Sequence, residues 1–178
     1  MKKEELEKFL IKEKFDSYED ILQYVDDEKD IEILAEKISF LKKNGLESDE
    51  IEMVLSENPL FLTSNLETVK RSVNFLNSIG LKNLSQVVGM NPELLSISDS
   101  QMSENYKLLK LLMSEKDLFN MLNIDAEILS FNTDYLGRRL EFFVKNNLKD
   151  KIKDIILNSI ESFEDEEDEI DLSMLRNI

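Results

Sequence analysis

A group of three apolar residues, spaced i, i+3, i+4, recurs five times along this chain. The copies start at residues 18, 51, 84, 118 and 152, so they lie 33, 33, 34 and 34 residues apart. A fixed period of this length is the signature of a helical-repeat array. The period predicts an all-α fold, a right-stacked array of helical hairpin repeats (an α-solenoid) with about ten helices. The five triads are Tyr18/Ile21/Leu22, Ile51/Val54/Leu55, Leu84/Val87/Val88, Leu118/Met121/Leu122 and Ile152/Ile155/Ile156.

Each of these first helices is followed by a turn and then by a second apolar triad, spaced i, i+4, i+7. Both spacings place apolar residues on one stripe of a helix. The second triads are Leu34/Ile38/Leu41, Val69/Val73/Leu76, Met102/Tyr106/Leu109 and Leu136/Leu140/Phe143. We therefore predict one helical-repeat domain over residues 1–160. It comprises an N-terminal capping helix at 3–14, repeats at about 17–49, 50–82, 83–116 and 117–149, and a partial repeat at 150–160.

The turn residues agree with this division. Ser64-Asn-Leu-Glu67 and Ser98-Asp-Ser-Gln101 fit capping boxes that open second helices. Gly45 and Gly80 suit left-handed caps that end second helices. The chain has only four glycines and two prolines, which is little turn chemistry for a many-stranded β fold.

The two prolines mark the ends of first helices. Pro59 and Pro92 each follow the last residue of a first triad by four positions. Proline cannot extend a helix, and it biases the preceding residue, Asn58 or Asn91, away from α geometry.

Composition argues against an enzyme. The chain has no cysteine and no histidine, which removes thiolate nucleophiles, thiolate zinc sites and the usual proton shuttle at neutral pH. Acid pairs such as Asp26/Asp27 and Asp49/Glu50 are interpreted as helix-start charges or solvated faces. We predict a non-catalytic protein without metal or cofactor.

Targeting signals are also missing from the sequence. No segment approaches the roughly 18 uninterrupted apolar residues of a membrane span. The N-terminus has acids among its lysines and lacks the apolar core of a signal peptide. We expect a cytoplasmic protein that does not contact the membrane.

The chain carries a net charge of −16, from 38 acids against 22 bases. Acidity on this scale repels phosphate at long range and favours a basic protein partner. Residues 161–178 are interpreted as an acidic, flexible tail, and residues 161–171 contain no base. The predicted partner-binding residues are Glu161, Glu164, Asp165, Glu166, Glu167, Asp168, Glu169, Asp171, Leu172 and Leu175.

Three interpretations of this acidic run stay open. The first is a solvating segment. The second is a metal-binding cluster, although the run lacks the glycine and the ligand spacing of an EF-hand loop. The third is a phosphate mimic that occupies a basic site on another protein or folds back on residues 138–153.

Two of the repeats resemble the mitochondrial transcription termination factor (mTERF) family. The residues that carry the resemblance are Phe40-Leu-Lys-Lys-Asn-Gly-Leu46, Ile51-Glu-Met-Val-Leu-Ser-Glu-Asn-Pro-Leu-Phe-Leu62, Phe75-Leu-Asn-Ser-Ile-Gly-Leu81 and Val87-Val-Gly-Met-Asn-Pro-Glu-Leu-Leu95. The resemblance covers residues 17–160. It implies a curved, all-helical repeat fold and, as in many family members, nucleic-acid binding along a positively charged groove.

A groove that tracks phosphates needs Lys or Arg at equivalent exposed positions of successive repeats. Three columns of the second helices can be compared, at two, three and eight residues past the first apolar position. They read Glu36, Arg71, Glu104, Arg138, then Lys37, Ser72, Asn105, Arg139, and then Lys42, Asn77, Lys110, Val144. No column is uniformly basic. Residues 138–153 form a local exception, with six bases against two acids.

Two main hypotheses of function follow, and a third is an oligomeric structural module. In the first, the acidic surface engages a basic, nucleic-acid-handling protein as a regulator, inhibitor or nucleic-acid mimic. In the alternative, the chain binds DNA or RNA directly, as an mTERF-type regulator of transcription or translation. The alternative uses the scattered bases Lys42, Arg71 and Lys110 together with the basic patch at 138–153. The bases of the patch are Arg138, Arg139, Lys145, Lys149, Lys151 and Lys153.

Overall fold

A computed structural model of the protein describes residues 1–25, 27–81 and 83–158. Within these ranges the chain forms eleven α-helices, three short 3-10 turns and no strand, which confirms the all-α prediction. The helices are α1 (Lys3–Lys12), α2 (Tyr18–Ile21), α3 (Glu28–Lys43), α4 (Ser48–Glu57), α5 (Leu60–Thr63), α6 (Leu66–Ser78), α7 (Leu84–Met90), α8 (Asp99–Lys110), α9 (Glu115–Ile124), α10 (Thr133–Lys145) and α11 (Ile152–Asn158).

The repeat pattern assigns these helices to two sets. The first helices are α2, α4, α7, α9 and α11, and the second helices are α3, α6, α8 and α10. The apolar triads of both sets are buried, apart from half-buried Tyr18, Leu22 and Tyr106. Burial of each such aliphatic side chain contributes about 1.5–3 kcal/mol relative to exposure, so the triads form the core.

The chain divides into two compact units, Met1–Asp99 and Ser100–Ile178. In the first unit, α3 packs between α1 and α6, while α4 packs against α7. In the second unit, α9 packs against α11. In the first unit the two sets also contact each other, since α3 packs against α4 and α6 packs against α7. The prediction of a single domain over 1–160 stays a prediction.

The second, third and fourth repeats each contain a short element that the sequence analysis did not predict. α4 and α7 end at Glu57 and Met90, and their C-caps, Asn58 and Asn91, directly precede the prolines, as expected. A single helical turn then follows, which is α5 after Pro59 and a 3-10 turn at Pro92–Leu95. The third copy has Ala126 in place of proline and still forms a 3-10 turn at Glu127–Leu129. A further 3-10 turn at Lys149–Lys151 precedes α11.

The predicted helix ends are largely confirmed. Gly45 and Gly80 have φ angles of +97° and +94° and cap α3 and α6 in the left-handed region. The capping box predicted at Ser64–Glu67 is wrong by one residue. The N-cap of α6 is Asn65, whose side chain accepts a hydrogen bond from the Thr68 amide at 2.8 Å. Ser64 instead donates to the carbonyl of Phe61 at 2.9 Å.

Acidic pairs start helices, as the sequence indicates. Asp27 caps α3 and accepts hydrogen bonds from the backbone amides of Lys29 and Asp30 at 2.9 and 2.8 Å. Asp49 and Glu50 lie in the first turn of α4. Asp26 lies outside the described residues. In the ranges that are described, none of the helices is long and apolar enough to cross a membrane.

Candidate nucleic-acid interface

The second helices present one exposed column that alternates in charge. Its members are Glu36, Arg71, Glu104 and Arg138, and all four are exposed. Each of these side chains is therefore accessible on its own helix. Acids occupy the position in the first and third copies and bases in the second and fourth, so each unit has one base and one acid there.

The neighbouring column is polar and buried in every copy. Lys37, Ser72 and Asn105 are 0% exposed, and Arg139 is 2% exposed. Position i+3 of a helix shares a face with i, i+4 and i+7, so this column completes the apolar stripe. The inclusion of Arg139 among the accessible bases is therefore wrong.

These buried side chains hold the next turn of the array. In three copies the donor bonds a backbone carbonyl 24 to 26 residues downstream. The bonds run from Lys37 Nζ to the carbonyls of Phe61 (2.5 Å) and Leu62 (3.0 Å), from Ser72 Oγ to Ile97 (2.8 Å), and from Asn105 Nδ2 to Leu129 (3.1 Å) and Phe131 (2.7 Å). A buried carbonyl without a partner costs free energy, so this column links one repeat to the next.

Two members of this column, Lys37 and Arg139, are cations in buried surroundings. Burial lowers the pKa of Lys37 to about 8, although the charge of Asp30 acts in the opposite direction. The guanidinium of Arg139 lies over two aromatic rings, 5.5 Å from the centroid of Phe142 and 5.3 Å from that of Phe143. Both cations thus act in packing.

Four of the predicted bases are engaged in ion pairs within their own unit. The Nζ atom of each lies near a carboxylate oxygen, at 3.1 Å for Lys42 and Glu13, 2.7 Å for Lys110 and Glu115, 2.8 Å for Lys145 and Glu141, and 3.4 Å for Lys153 and Asp117. A base that already has an acidic partner gains less from a phosphate, because the existing pair must first be separated.

Lys42 is the most constrained of the four. Its ammonium also donates to the Glu13 carbonyl at 3.1 Å and to the Ser48 hydroxyl at 2.8 Å, and it lies 5.6 Å from the centroid of the Phe15 ring. We therefore assign Lys42 to the packing of the first unit. Lys110, in contrast, remains exposed, and its hydrogen bond with Glu115 raises its pKa.

Three of the other predicted bases are exposed. Arg71, Arg138 and Lys149 are exposed, and Lys151 is half-buried. Lys149 lines a polar cavity of about 390 Å³ together with Asp117, Asp150, Lys153 and Asp154. The pKa of Asp117 is lowered, first by its hydrogen bond with Ser114 and then by that with Lys153. This cavity holds both signs of charge and has no net preference for phosphate.

A shallow apolar cavity of about 200 Å³ lies between α8 and α10 in the second unit. Leu108, Leu111, Gly137 and Val144 are among its lining residues. Arg138 directly follows Gly137, and exposed Lys107 directly precedes Leu108. Sequence reasoning missed Lys107, although it lies three residues after Glu104 and so shares the face of the exposed column. Lys107 on α8 and Arg138 on α10 are thus exposed cations on the two helices that line this cavity.

A larger groove of about 660 Å³ runs over the first unit. Phe9, Glu32, Glu36, Phe40 and Lys70 are among the residues that line it. Lys70 is itself paired with Glu67 at 3.0 Å. The groove is therefore apolar with an acidic edge, which is unfavourable for a phosphate backbone.

The predicted partner-binding residues of the C-terminal segment lie outside the described residues. They are Glu161, Glu164, Asp165, Glu166, Glu167, Asp168, Glu169, Asp171, Leu172 and Leu175. Within residues 1–25, 27–81 and 83–158, no group of three or more acidic side chains could hold a metal ion. The basic contacts on the second helices are thus the candidate site that can be described.

Comparison with known proteins identifies a family. The family model described as mTERF matches residues 1–158. No curated protein and no solved structure matches the chain.

Proposed function

This chain belongs to the mTERF family, and we propose that it is a non-catalytic, nucleic-acid-binding regulator of transcription or translation. The observation that carries the proposal is the family match over residues 1–158. Helical-repeat proteins bind through exposed ridges that successive repeats build together. The exposed bases of the second helices are the corresponding features of this chain.

Arg138 is the base on which the proposal depends most. It is exposed, it lies beside the apolar cavity between α8 and α10, and Lys107 lies on the neighbouring helix. A guanidinium can bind a phosphate through two parallel hydrogen bonds. Arg71 occupies the equivalent position of the second repeat. Because Glu36 and Glu104 interrupt this column, we expect few phosphate contacts and strong dependence of affinity on salt.

The test is a fluorescence anisotropy titration of labelled duplex DNA, single-stranded DNA, duplex RNA and single-stranded RNA, at low and moderate salt. The wild-type protein is compared with Arg138→Glu and with Lys116→Glu, a matched control. Lys116 is exposed on the first helix α9, and its substitution changes net charge equally. Arg139 is left unchanged because it is buried.

We expect Arg138→Glu to weaken binding several-fold more than the control does. The slope of log K against log salt should fall by about 1, since one phosphate contact is lost. Equal effects of the two variants would reject Arg138 as a contact. Absence of binding by the wild-type protein to all four nucleic acids at low salt would reject the function.

The second candidate is engagement of a basic protein by an acidic surface. The observations that favour it are the net charge of −16 and the acidic edge of the groove in the first unit. It predicts that an affinity pull-down recovers a basic nucleic-acid-handling protein, in a salt-sensitive manner, while the anisotropy titration shows no binding. A cytoplasmic location stays a prediction from the sequence.

A further inference from the structure

We propose that the groove of the first unit binds an amphipathic helix of a basic partner protein, with an apolar stripe that is flanked by lysine or arginine. Such binding goes beyond nucleic-acid binding by the second helices and does not depend on it. It rests on the second candidate function, to which it gives a defined surface and a defined kind of partner segment.

The shape of the groove suits a helix. α3 packs between α1 and α6, and the groove is lined by Phe9 of α1, by Leu66 of α6 and by α3 between them. On α3 the lining residues run from Glu32 to Phe40, which is about 12 Å along the helix axis, or about two turns. A partner helix of a few turns therefore matches the groove in length.

The residues between the walls are small, and the walls are apolar. Ala35 and Ser39 line the groove on α3, four residues apart, and leave room for the backbone of another helix. Phe9, Phe40 and Leu66 are half-buried, so part of their apolar surface still faces solvent. A partner that covers this surface removes it from water, which favours association. Apolar residues at i, i+3, i+4 and i+7 of a helix present the matching stripe.

The edge of the groove on α3 is acidic. Glu28, Glu32 and Glu36 recur every four residues and are all exposed, so they share one face of α3. This edge already holds a cation, because the ammonium of Met1 lies 2.7 Å from a carboxylate oxygen of Glu32. The pKa of this ammonium is raised, first by its hydrogen bond with Glu32 and further by the charges of Glu28 and Glu5. Lysines or arginines four residues apart on a partner helix match the spacing of these glutamates.

Charge also decides between the possible occupants. A phosphate backbone would meet the acidic edge and be repelled. A second copy of this chain carries the same net charge of −16 and is repelled at long range. The lysine that lines the opposite wall, Lys70, is paired with Glu67 at 3.0 Å. A basic, amphipathic protein segment is therefore the occupant that this surface favours.

The test uses a labelled helical peptide as the probe, about 18 residues long, which is about five turns. Its leucines follow the i, i+3, i+4, i+7 spacing, and its lysines flank that stripe. One control peptide has the same composition with the leucines moved out of the stripe, and a second has glutamates in place of the lysines. Fluorescence anisotropy gives the Kd of each peptide for the full chain at low and moderate salt.

Two variants alter the groove. Ser39→Trp fills the space between the walls, and the double variant Glu28→Gln/Glu36→Gln neutralises the acidic edge. Their matched controls are Ser56→Trp and the double variant Glu19→Gln/Glu57→Gln, which change exposed residues on the first helices α2 and α4.

We expect the wild type to bind the probe more tightly than either control peptide, by about tenfold or more, because only the probe offers both the stripe and the charge. Ser39→Trp should weaken binding of the probe by about tenfold or more. The glutamine variant should weaken it several-fold at low salt and less at moderate salt, since counterions screen the pairs. The two matched controls should keep the Kd of the wild type.

Equal binding of the probe and the control peptides would overturn the proposal, as would absence of binding at low salt or equal effects of the variants and their matched controls. A dimer of the wild type that Ser39→Trp dissociates, measured by light scattering, would assign the groove to a second copy and overturn it as well. Ser39→Trp should leave nucleic-acid binding unchanged, so that failure of this site and failure of nucleic-acid binding are told apart. A basic protein recovered equally by the wild type and Ser39→Trp would keep the second candidate function and reject this surface.

Discussion

Lys37 is a lysine whose ammonium group lies inside the first unit. It donates to the carbonyls of Phe61 and Leu62 and lies 5.0 Å from the centroid of the Phe61 ring. The two carbonyls and the ring replace only part of the hydration that an ammonium has in water. Burial therefore disfavours the charged form and lowers the pKa to about 8. The same side chain links α3 to the turn that follows α4.

This pKa predicts how stability changes with pH. Because the folded-state pKa of about 8 lies below the ordinary lysine pKa of 10.5, the unfolded chain binds more protons between these two values. The free energy of unfolding of the wild type should therefore rise with pH in this window, relative to that of Lys37→Met. The slope for one proton is at most about 1.4 kcal/mol per pH unit.

Urea unfolding of both proteins at about pH 7 and pH 10 measures this difference, and groups common to both proteins cancel. Lys37→Met keeps most of the side-chain volume and removes the titrating group. A difference in unfolding free energy that stays constant with pH would contradict the lowered pKa of Lys37.

Residues at adjacent positions can have opposite roles, and sequence reasoning assigned one of them wrongly. The period aligned Arg138 and Arg139 with their counterparts in other repeats correctly. Their chemical type then suggested two accessible bases, although only Arg138 is exposed. Helix geometry already places i+3 on the apolar face. The burial of a charged residue there depends on carbonyl partners more than twenty residues away, as for Lys37, and local spacing does not contain that information.

At the scale of elements, helix ends could be predicted and short turns could not. Gly45 and Gly80 end second helices through local backbone chemistry, which a glycine reveals in the sequence. The single turns at Leu60–Thr63 and Glu127–Leu129 are too short to show a helical period. They are held by the buried polar column, and that column becomes visible only when the repeats pack.

Two glycines allow the same substitution to be tested with opposite expected signs. Gly45 has φ +97°, and no atom of the described residues lies within 4 Å of an added Cβ. Gly45→Ala should therefore destabilise the protein by about 1 kcal/mol through backbone strain alone. Gly137 lies inside α10, and its added Cβ would meet Leu108 Cδ1 at 4.0 Å, an ordinary contact. Gly137→Ala should stabilise the protein by roughly 0.5–1 kcal/mol.

Thermal and urea unfolding of the two single variants measure both effects. A loss of stability in Gly137→Ala would show that the space between α8 and α10 is tighter than the contact with Leu108 indicates. An unchanged stability in Gly45→Ala would show that the end of α3 can change its backbone conformation without cost.

At the scale of the whole molecule, net charge opposes the proposed function. Residues 161–171 contain eight acids, which account for half of the net charge of −16. Such a field repels phosphate over about 10 Å at 0.1 M salt and farther at lower salt. The exposed bases of the second helices must therefore bind nucleic acid against repulsion from their own chain.

Removal of this charge should strengthen nucleic-acid binding. We expect replacement of Glu164, Asp165, Glu166, Glu167, Asp168 and Glu169 by the corresponding amides to raise the affinity for duplex DNA or RNA. The gain should be roughly tenfold or more at low salt and should shrink at moderate salt, because counterions screen the repulsion. Anisotropy titrations of the wild type and the amide variant at two salt concentrations measure this gain.

A control that replaces six exposed acids of the first unit by amides separates two possible causes of the gain, which are net charge and local competition. Equal gains would assign the effect to net charge, and a larger gain from the C-terminal variant would assign it to local competition beside Arg138. Unchanged affinity in both variants would contradict electrostatic control of binding.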